Sequence, residues 1–167
     1  MVGIVVAAKA SIATEHATKS VGGKNSGLTQ SQLDALIAAH QEFLSDRHQA
    51  PRLDLSERKA AGLDFSHHNL AMGDLSGADL RGSNFRGSDL GNAGLFGAKL
   101  DDCAMASANM VNVDLRAASL QGVQLRSANL RGADLRQGIM DYADGKTAFI
   151  STSLRFADLH GANLTDI

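Results

Sequence analysis

The chain has 167 residues and a net charge of −2 at pH 7, with 44% hydrophobic but only 4% aromatic residues. This total charge excludes both the strongly basic balance of a nucleic-acid-binding protein and the strongly acidic balance of a nucleic-acid mimic. The single cysteine, Cys103, excludes an intramolecular disulfide framework and indicates a reducing compartment.

The first 28 residues differ from the rest of the chain. Residues 1–13 are apolar and β-prone. A signal peptide would carry positive charge before its apolar run, but here the first positive side chain is Lys9. No apolar run approaches the roughly 20 residues of a membrane helix. Residues 20–27 (SVGGKNSG) are typical of a linker. We therefore expect a cytoplasmic protein without a membrane association, in which residues 1–28 are flexible or contact a partner.

The next segment is predicted to contain an α-helix over residues 30–45. Apolar residues such as Leu33 and Ile37 recur there with helical spacing. Thr29 and Ser31 are both suited to cap its amino terminus. The apolar stripe of this helix needs a surface to cover, and the rest of the chain offers one.

From residue 53 onwards a pattern repeats every five residues. Each unit has a large apolar residue at its centre, a small residue two positions earlier, Asp or Asn between them, and Gly or Asn two positions after the centre. The centres are Phe65, Leu70, Leu75, Leu80, Phe85, Leu90, Leu95, Leu100, Met105, Met110, Leu115, Leu120, Leu125, Leu130, Leu135 and Met140. Neither an α-helix nor a straight β-strand places every fifth residue on one side.

The period of five requires the chain to turn a corner once per unit. The small residue and the centre then point inwards, the residues on either side of the centre point outwards, and Gly or Asn forms the corner. Four sides make a square coil of about 20 residues, and coils stack at the strand spacing of about 4.8 Å. Face one then stacks Leu75, Leu95, Leu115 and Leu135; face two stacks Leu80, Leu100, Leu120 and Met140; face three stacks Phe65, Phe85, Met105 and Leu125; and face four stacks Leu70, Leu90, Met110 and Leu130.

This pattern resembles the pentapeptide-repeat family. The best matches are ADLRG (78–82), ANLRG (128–132), ADLRQ (133–137), ADLHG (157–161) and ANLTD (162–166). The resemblance implies a right-handed quadrilateral β-helix.

We therefore expect an all-β solenoid over residues 53–167 with an N-terminal capping α-helix. The cap and its lead-in are assigned to residues 29–52, because the terminal units of a solenoid need covering. The predicted structural core includes Phe65, Phe85, Leu95, Leu115, Leu130 and Leu135.

The register of the repeat breaks near residues 143–146. After Met140 the next centre would be Gly145, but large apolar centres resume at Phe149 and Leu154. The step of nine residues indicates one four-residue unit. Two interpretations stay open: a tolerated deletion at a corner, or a kink that presents a recognition surface.

Arginines at outward positions form the candidate interaction surface. Arg116, Arg136 and Arg155 are expected in one column on face one, and Arg126 and Arg131 on two other faces. Asp114 and Asp134 lie in the neighbouring column. The arginines could form a self-neutralising ladder with these aspartates or a binding stripe for an acidic partner.

No catalytic, metal or cofactor site is expected. The adjacent His67 and His68 should diverge, Cys103 points inwards, and the glycines are corners rather than a phosphate-binding loop. We predict a non-catalytic scaffold that presents flat faces to an unidentified protein partner or to itself, through the C-terminal coil or the N-terminal segment. No direct contact with nucleic acid is expected.

The alternative function follows from the resemblance. Some family members mimic DNA, bind type II topoisomerases such as gyrase and modulate quinolone sensitivity. Two observations argue against this function here. Residues 53–167 carry 14 acidic and 11 basic side chains, a net charge of only −3, and no long loop is expected to project between the coils.

Overall fold

The computed structural model describes residues 26–46, 48, 50–141 and 145–167. The segment predicted to be flexible or to contact a partner, residues 1–28, lies outside the described residues up to residue 25. One helix, α1 (Gln30–Ser45), precedes a stack of coils, and one hairpin, β1 (Gly138–Asp141) with β2 (Thr147–Ile150), interrupts the last coil. Within the described residues no helix is long and apolar enough to pass through a bilayer.

Helix α1 lies on the first coil. Thr29 is its N-cap: the Thr29 hydroxyl accepts from the amide of Gln32, and the Gln32 side chain accepts from the amide of Thr29, which makes a capping box. Leu33 and Ile37 are buried in the same apolar cluster as Leu55 of the first coil. The predicted helix is confirmed at both ends.

The coils repeat every 20 residues, as predicted. On each side a single residue bridges in parallel to the residue 20 positions later, from Asp54 with Asp74 to Asp114 with Asp134. The amide of each centre donates to a carbonyl of the following coil; that of Leu55, for example, donates to Asp74 at 2.7 Å. The chain therefore forms a parallel β-solenoid whose strands are too short to extend beyond one bridge per side.

The apolar centres fill the interior. Five of the six predicted core residues are completely buried: Phe65, Phe85, Leu95, Leu115 and Leu130. The sixth, Leu135, belongs to the last coil and is half-buried. Like residues stack in columns, and the rings of Phe65 and Phe85 are 4.4 Å apart between centroids and tilted by 8°.

The break in the register is an insertion, and the predicted four-residue unit is wrong. Ser119 bridges to Ser153 and Asn129 to Asn163, partners 34 positions apart instead of 20. Fourteen residues are therefore inserted between Gln137 and Thr152, and they include the hairpin.

Two expected core positions change as a result. The place predicted for Met140 on face two belongs to Leu154, because Leu120 donates its amide to the carbonyl of Ser153. Phe149 is not a centre either, since it lies in β2 and is 66% exposed. The expectation that no long loop projects from the coils was also wrong.

Candidate interaction surface

Aspartate and arginine form bidentate pairs on the outer wall. The positions before and after a centre both point outwards, so an Asp-Leu-Arg unit places the two charged groups side by side. Arg116 donates through Nε and Nη2 to Asp114 at 2.9 and 2.7 Å, and Arg136 donates likewise to Asp134 at 2.9 and 2.8 Å. These pairs leave little unbalanced charge at the two sites.

The two pairs on face one are joined across the coils. Nε of Arg116 also lies 3.5 Å from Oδ2 of Asp134, and its guanidinium lies 5.7 Å from the centroid of the Phe96 ring. The hydrogen bond from Arg136 lowers the pKa of Asp134 to about 2. The hydrogen bond from Arg116 likewise lowers the pKa of Asp114. On face one the geometry is that of a ladder in which each carboxylate is held ionised by its arginine.

The other candidate arginines are dispersed. Arg126 on face three lies 3.9 Å from Asp158, and Arg131 is exposed on face four. Arg155 was expected above Arg116 and Arg136, but the inserted residues move it to face two, where its carbonyl accepts from Gly122. The structure therefore brings together two of the five predicted arginines.

The hairpin rests on the corner between faces one and two. Gly138 lies so close to this corner that a Cβ atom there would be 2.7 Å from Cβ of Ala117 and 2.8 Å from the ring of Phe96. The side chain of Met140 reaches Gly97 in the third coil. Beneath the hairpin runs a groove of about 420 Å³ that includes Met140 and Ile150 in its wall.

The outer side of the hairpin carries an apolar pair. Side chains alternate across a strand, so Met140 and Ile150 point to the solenoid while Ile139 and Phe149 point away from it. Ile139 and Phe149 are directly paired across the two strands and are 56% and 66% exposed. More than half of the surface of each is left uncovered by the described parts of the chain.

A third exposed apolar side chain lies on the same coil. Phe156 occupies the corner that follows face two, with φ of 61° and 82% of its surface exposed. The guanidinium of Arg155 lies 5.3 Å from the centroid of its ring. Ile139, Phe149 and Phe156 are three of the four large exposed apolar residues in the described parts of the chain.

We call Ile139, Phe149, Arg155 and Phe156 the hairpin surface. Sequence reasoning identified Arg155 and missed the three apolar residues. The sequence does carry one signal of the hairpin. Gly138 occupies a position where the repeat calls for a small inward residue, but the β-branched and aromatic residues that follow it do not keep the five-residue spacing of the earlier centres.

The single cysteine of the chain is buried in the solenoid. Cys103 points inwards, its Sγ lies 3.0 Å from the carbonyl of Leu80, and burial raises the pKa of the thiol to about 12. In the part of the chain that the structure describes, no three acidic, histidine or cysteine side chains are grouped as metal ligands.

Comparison with known proteins identifies the repeat. Residues 61–95 and 98–137 match the family model for pentapeptide repeats in eight copies. This chain belongs to the pentapeptide-repeat family. No curated protein sequence matches it at a significant level.

Solved structures of other pentapeptide-repeat proteins agree with the fold. One from the thylakoid lumen of Arabidopsis thaliana is 31% identical, with a TM-score of 0.54 over 64% of this chain and 65% of its own length. Rfr23 from the cyanobacterium Cyanothece 51142 is 19% identical, with a TM-score of 0.56 over 78% of this chain and 93% of its own. This pentapeptide-repeat chain is therefore a right-handed β-helix solenoid.

A third solved structure superposes poorly on this chain. The plasmid-mediated fluoroquinolone resistance protein QnrB1 is 19% identical over 70% of this chain and 65% of its own, with a TM-score of only 0.24.

Proposed function

We propose that this pentapeptide-repeat protein is a non-catalytic scaffold whose hairpin surface binds a protein partner. The observation that carries the proposal is the exposed pair of Ile139 and Phe149 on a hairpin inserted into an otherwise regular rod. Apolar and aromatic side chains at the centre of a contact supply most of the binding energy between proteins. Arg155 and Phe156 extend the same chemistry to the neighbouring face.

The ladder on face one supports this choice of surface. Arg116 and Arg136 already donate to their own aspartates, so a partner would have to compete for them. We assign the ladder to the wall of the solenoid and the hairpin surface to recognition.

The experiment compares variants of the tagged full-length chain in crosslinking and capture from cells of its source organism. Ile139→Ser with Phe149→Ser should abolish the specific crosslinks of the wild type, whereas Arg116→Ser with Arg136→Ser should retain them. Circular dichroism should show that both double variants keep the solenoid. Equal crosslinks in the two double variants would refute the proposal.

The hairpin also favours a second candidate, because a projecting element was the feature that the topoisomerase-binding alternative lacked. The charge of residues 53–167, with 14 acidic and 11 basic side chains, still argues against a mimic of DNA. A gyrase supercoiling assay with and without a quinolone separates the two candidates. Protection of gyrase by wild type, lost in Ile139→Ser with Phe149→Ser, would favour the second; no effect at micromolar protein would remove it.

We further propose that α1 serves as the N-terminal cap of the solenoid and that the protein works in the cytoplasm. The first part is supported by the burial of Leu33 and Ile37 against the first coil and by Gln30, which bonds both backbone groups of Asp64. The second is supported by the single cysteine, Cys103. Fluorescent tagging at the C-terminus tests the location.

A further inference from the structure

His40 is a completely buried histidine with both ring nitrogens in use. Its Nδ1 lies 3.0 Å from the backbone nitrogen of Leu53, and its Nε2 lies 3.0 Å from the carbonyl oxygen of Ala71. A backbone N–H only donates, so Nδ1 must be the unprotonated nitrogen that accepts from it. Nε2 must then carry the hydrogen donated to Ala71. The site therefore holds a neutral imidazole in one defined tautomer.

These two bonds join α1 to both ends of the first coil. Leu53 opens face one of that coil, and Ala71 lies near the end of its face four. One ring thus connects the helix to two backbone groups that are far apart in sequence. The neighbouring Gln41 adds a bond from its side chain to the carbonyl of Asn69 at 2.8 Å.

We propose that His40 is a pH-sensitive latch, which holds α1 across the first coil when neutral and releases it when protonated. Protonation would put a hydrogen on Nδ1 directly opposite the N–H of Leu53. The bond would be lost, two donors would face each other, and a charge would sit in a site without access to water.

No described residue of opposite charge is found to act on the ring. Among the described residues the charged group that acts on it is Arg52, which carries the same sign as an imidazolium. The ring of Phe43, also in α1, stacks on that of His40 with 5.6 Å between the two centroids. Leu53 and Ala71 of the coil contribute backbone groups. Burial, followed by the charge of Arg52, lowers the pKa of His40, while the bond to Ala71 partly offsets this effect.

The direction of the pH effect follows from this lowered pKa. Above the ordinary value of 6.5 both the held and the released helix have a neutral ring, so the latch is fully effective. As the pH falls below 6.5 the released form binds the proton more readily, and the latch weakens until the pH reaches the lowered pKa.

The coil groups whose pKa is shifted do not titrate in the same window. Cys103, whose pKa is raised to about 12, stays protonated at acidic pH. Asp64, Asp79, Asp114 and Asp134 have lowered pKa values, so their stabilising bonds are lost only below their ordinary pKa of about 4. Between pH 6.5 and 4, acidification should therefore open α1 and leave the solenoid closed.

Hydrogen exchange read by mass spectrometry on the full chain tests the latch. The protection of residues 30–45, corrected for intrinsic exchange, should fall by up to about 30-fold from pH 7.5 to 5, the limit set by a group of ordinary pKa 6.5 that stays neutral when held. Protection of residues 73–132 should stay constant. His48→Gln changes an exposed histidine just beyond α1 and should keep the fall, whereas His40→Gln should abolish its pH dependence.

An NMR titration of the His40 Cε1 proton in the wild type gives a second measurement that needs no variant. A midpoint at or above 6.5 would overturn the proposal, as would unchanged protection of α1 down to pH 5. An equal fall in His40→Gln would overturn it too. If His40→Gln does not form α1 at all, the midpoint in the wild type decides.

Discussion

Corner residues in this solenoid share one backbone conformation, whatever their side chain. From Glu57 to Gly132 each corner has a positive φ, between 57° and 71°. In this conformation a side chain extends along the axis towards the next coil: the carboxylate of Glu57 lies against Gly77, and the ring of His67 against Gly87. The left-handed region costs a residue with a Cβ about 1–2 kcal/mol. Glycine is therefore needed mostly where the corner one coil earlier, 20 residues before it, carries a large side chain.

This relation predicts different costs for one substitution at two corners of face two. Gly62→Asn should be nearly neutral, because Asn tolerates a positive φ and nothing lies within 4 Å of the new Cβ. The corresponding corner of the next coil is Gly82, which has no side chain for the new one to meet. Gly122→Asn should lower the free energy of unfolding by roughly 1–3 kcal/mol, since its Cβ would displace the carboxylate of Asp102. Urea denaturation measures both. Equal losses would show that only the backbone conformation matters at a corner.

Cys103 is predicted to be replaceable by serine and unreactive in the native state. Ser83 precedes it in the same column, and its hydroxyl donates to the carbonyl of Ala60 as the thiol of Cys103 does to Leu80. Cys103→Ser should change the free energy of unfolding by less than about 1 kcal/mol, whereas Cys103→Leu should cost about 1–3 kcal/mol through overpacking.

The native thiol should resist Ellman's reagent up to pH 9, because its pKa is raised to about 12 and burial denies the reagent access. Reaction should be complete in denaturant, which serves as the control. Rapid labelling of the folded protein would mean that the coils open around Cys103.

At the scale of elements, α1 could be predicted from the sequence and the hairpin could not. The capping box of Thr29 and Gln32 and the spacing of Leu33 and Ile37 are local signals. The insertion of fourteen residues is one residue short of three repeat units, so it shifts the five-residue frame as a one-residue deletion does. Met140 also made the insertion hard to recognise, because it follows Leu135 by five residues as a further centre would.

The same shift explains the fate of the candidate site. Arg116 and Arg136 precede the insertion, and their placement on face one was correctly predicted. Arg155 follows it, so its face was wrong. Phe149 was expected inside the solenoid because Leu154 follows it by five residues, yet it faces outwards from the hairpin. Only long-range pairing, such as that of Ser119 with Ser153, distinguishes an insertion from a deletion.

Close approach at Gly138 is predicted to fix the hairpin on the solenoid. Gly138→Ala would press a methyl group against the Cβ of Ala117 and the ring of Phe96, neither of which can swing aside freely. Hydrogen exchange over residues 138–150 should speed up, while the coils keep their protection. Gly27→Ala is the matched control, because nothing lies within 4 Å of its new Cβ. Unchanged exchange in Gly138→Ala would mean that the hairpin is held by other contacts.

Among the described residues, each coil bonds to no other coil than those directly beside it. A bridge between two coils connects residues 20 positions apart, or 34 where the hairpin intervenes, and no bridge between the described coils reaches further. Stability is then close to a sum over neighbouring pairs of coils. Such a rod can present the hairpin surface at a fixed height and azimuth relative to α1, which suits a scaffold.

Removal of one complete coil should therefore leave a shorter but folded rod. Deleting residues 93–112 joins Asn92 to Val113 and keeps every side in its column. The new neighbours at the four corners are compatible as well: Gly77 meets Ala117, Gly82 meets Gly122, Gly87 meets Ser127, and Asn92 meets Gly132. The hairpin loses Phe96 and Gly97 beneath it, so its protection should decrease.

Small-angle scattering should show this rod shortened by about 4.8 Å, one strand spacing, and its thermal unfolding should stay cooperative at a lower temperature. The control deletes residues 93–111, one residue fewer. Because alternate residues of a side point in opposite directions, this control puts polar residues inside from the junction onwards, and the coils after it should unfold. If both deletions folded equally well, the inward and outward positions would not be what specifies this solenoid.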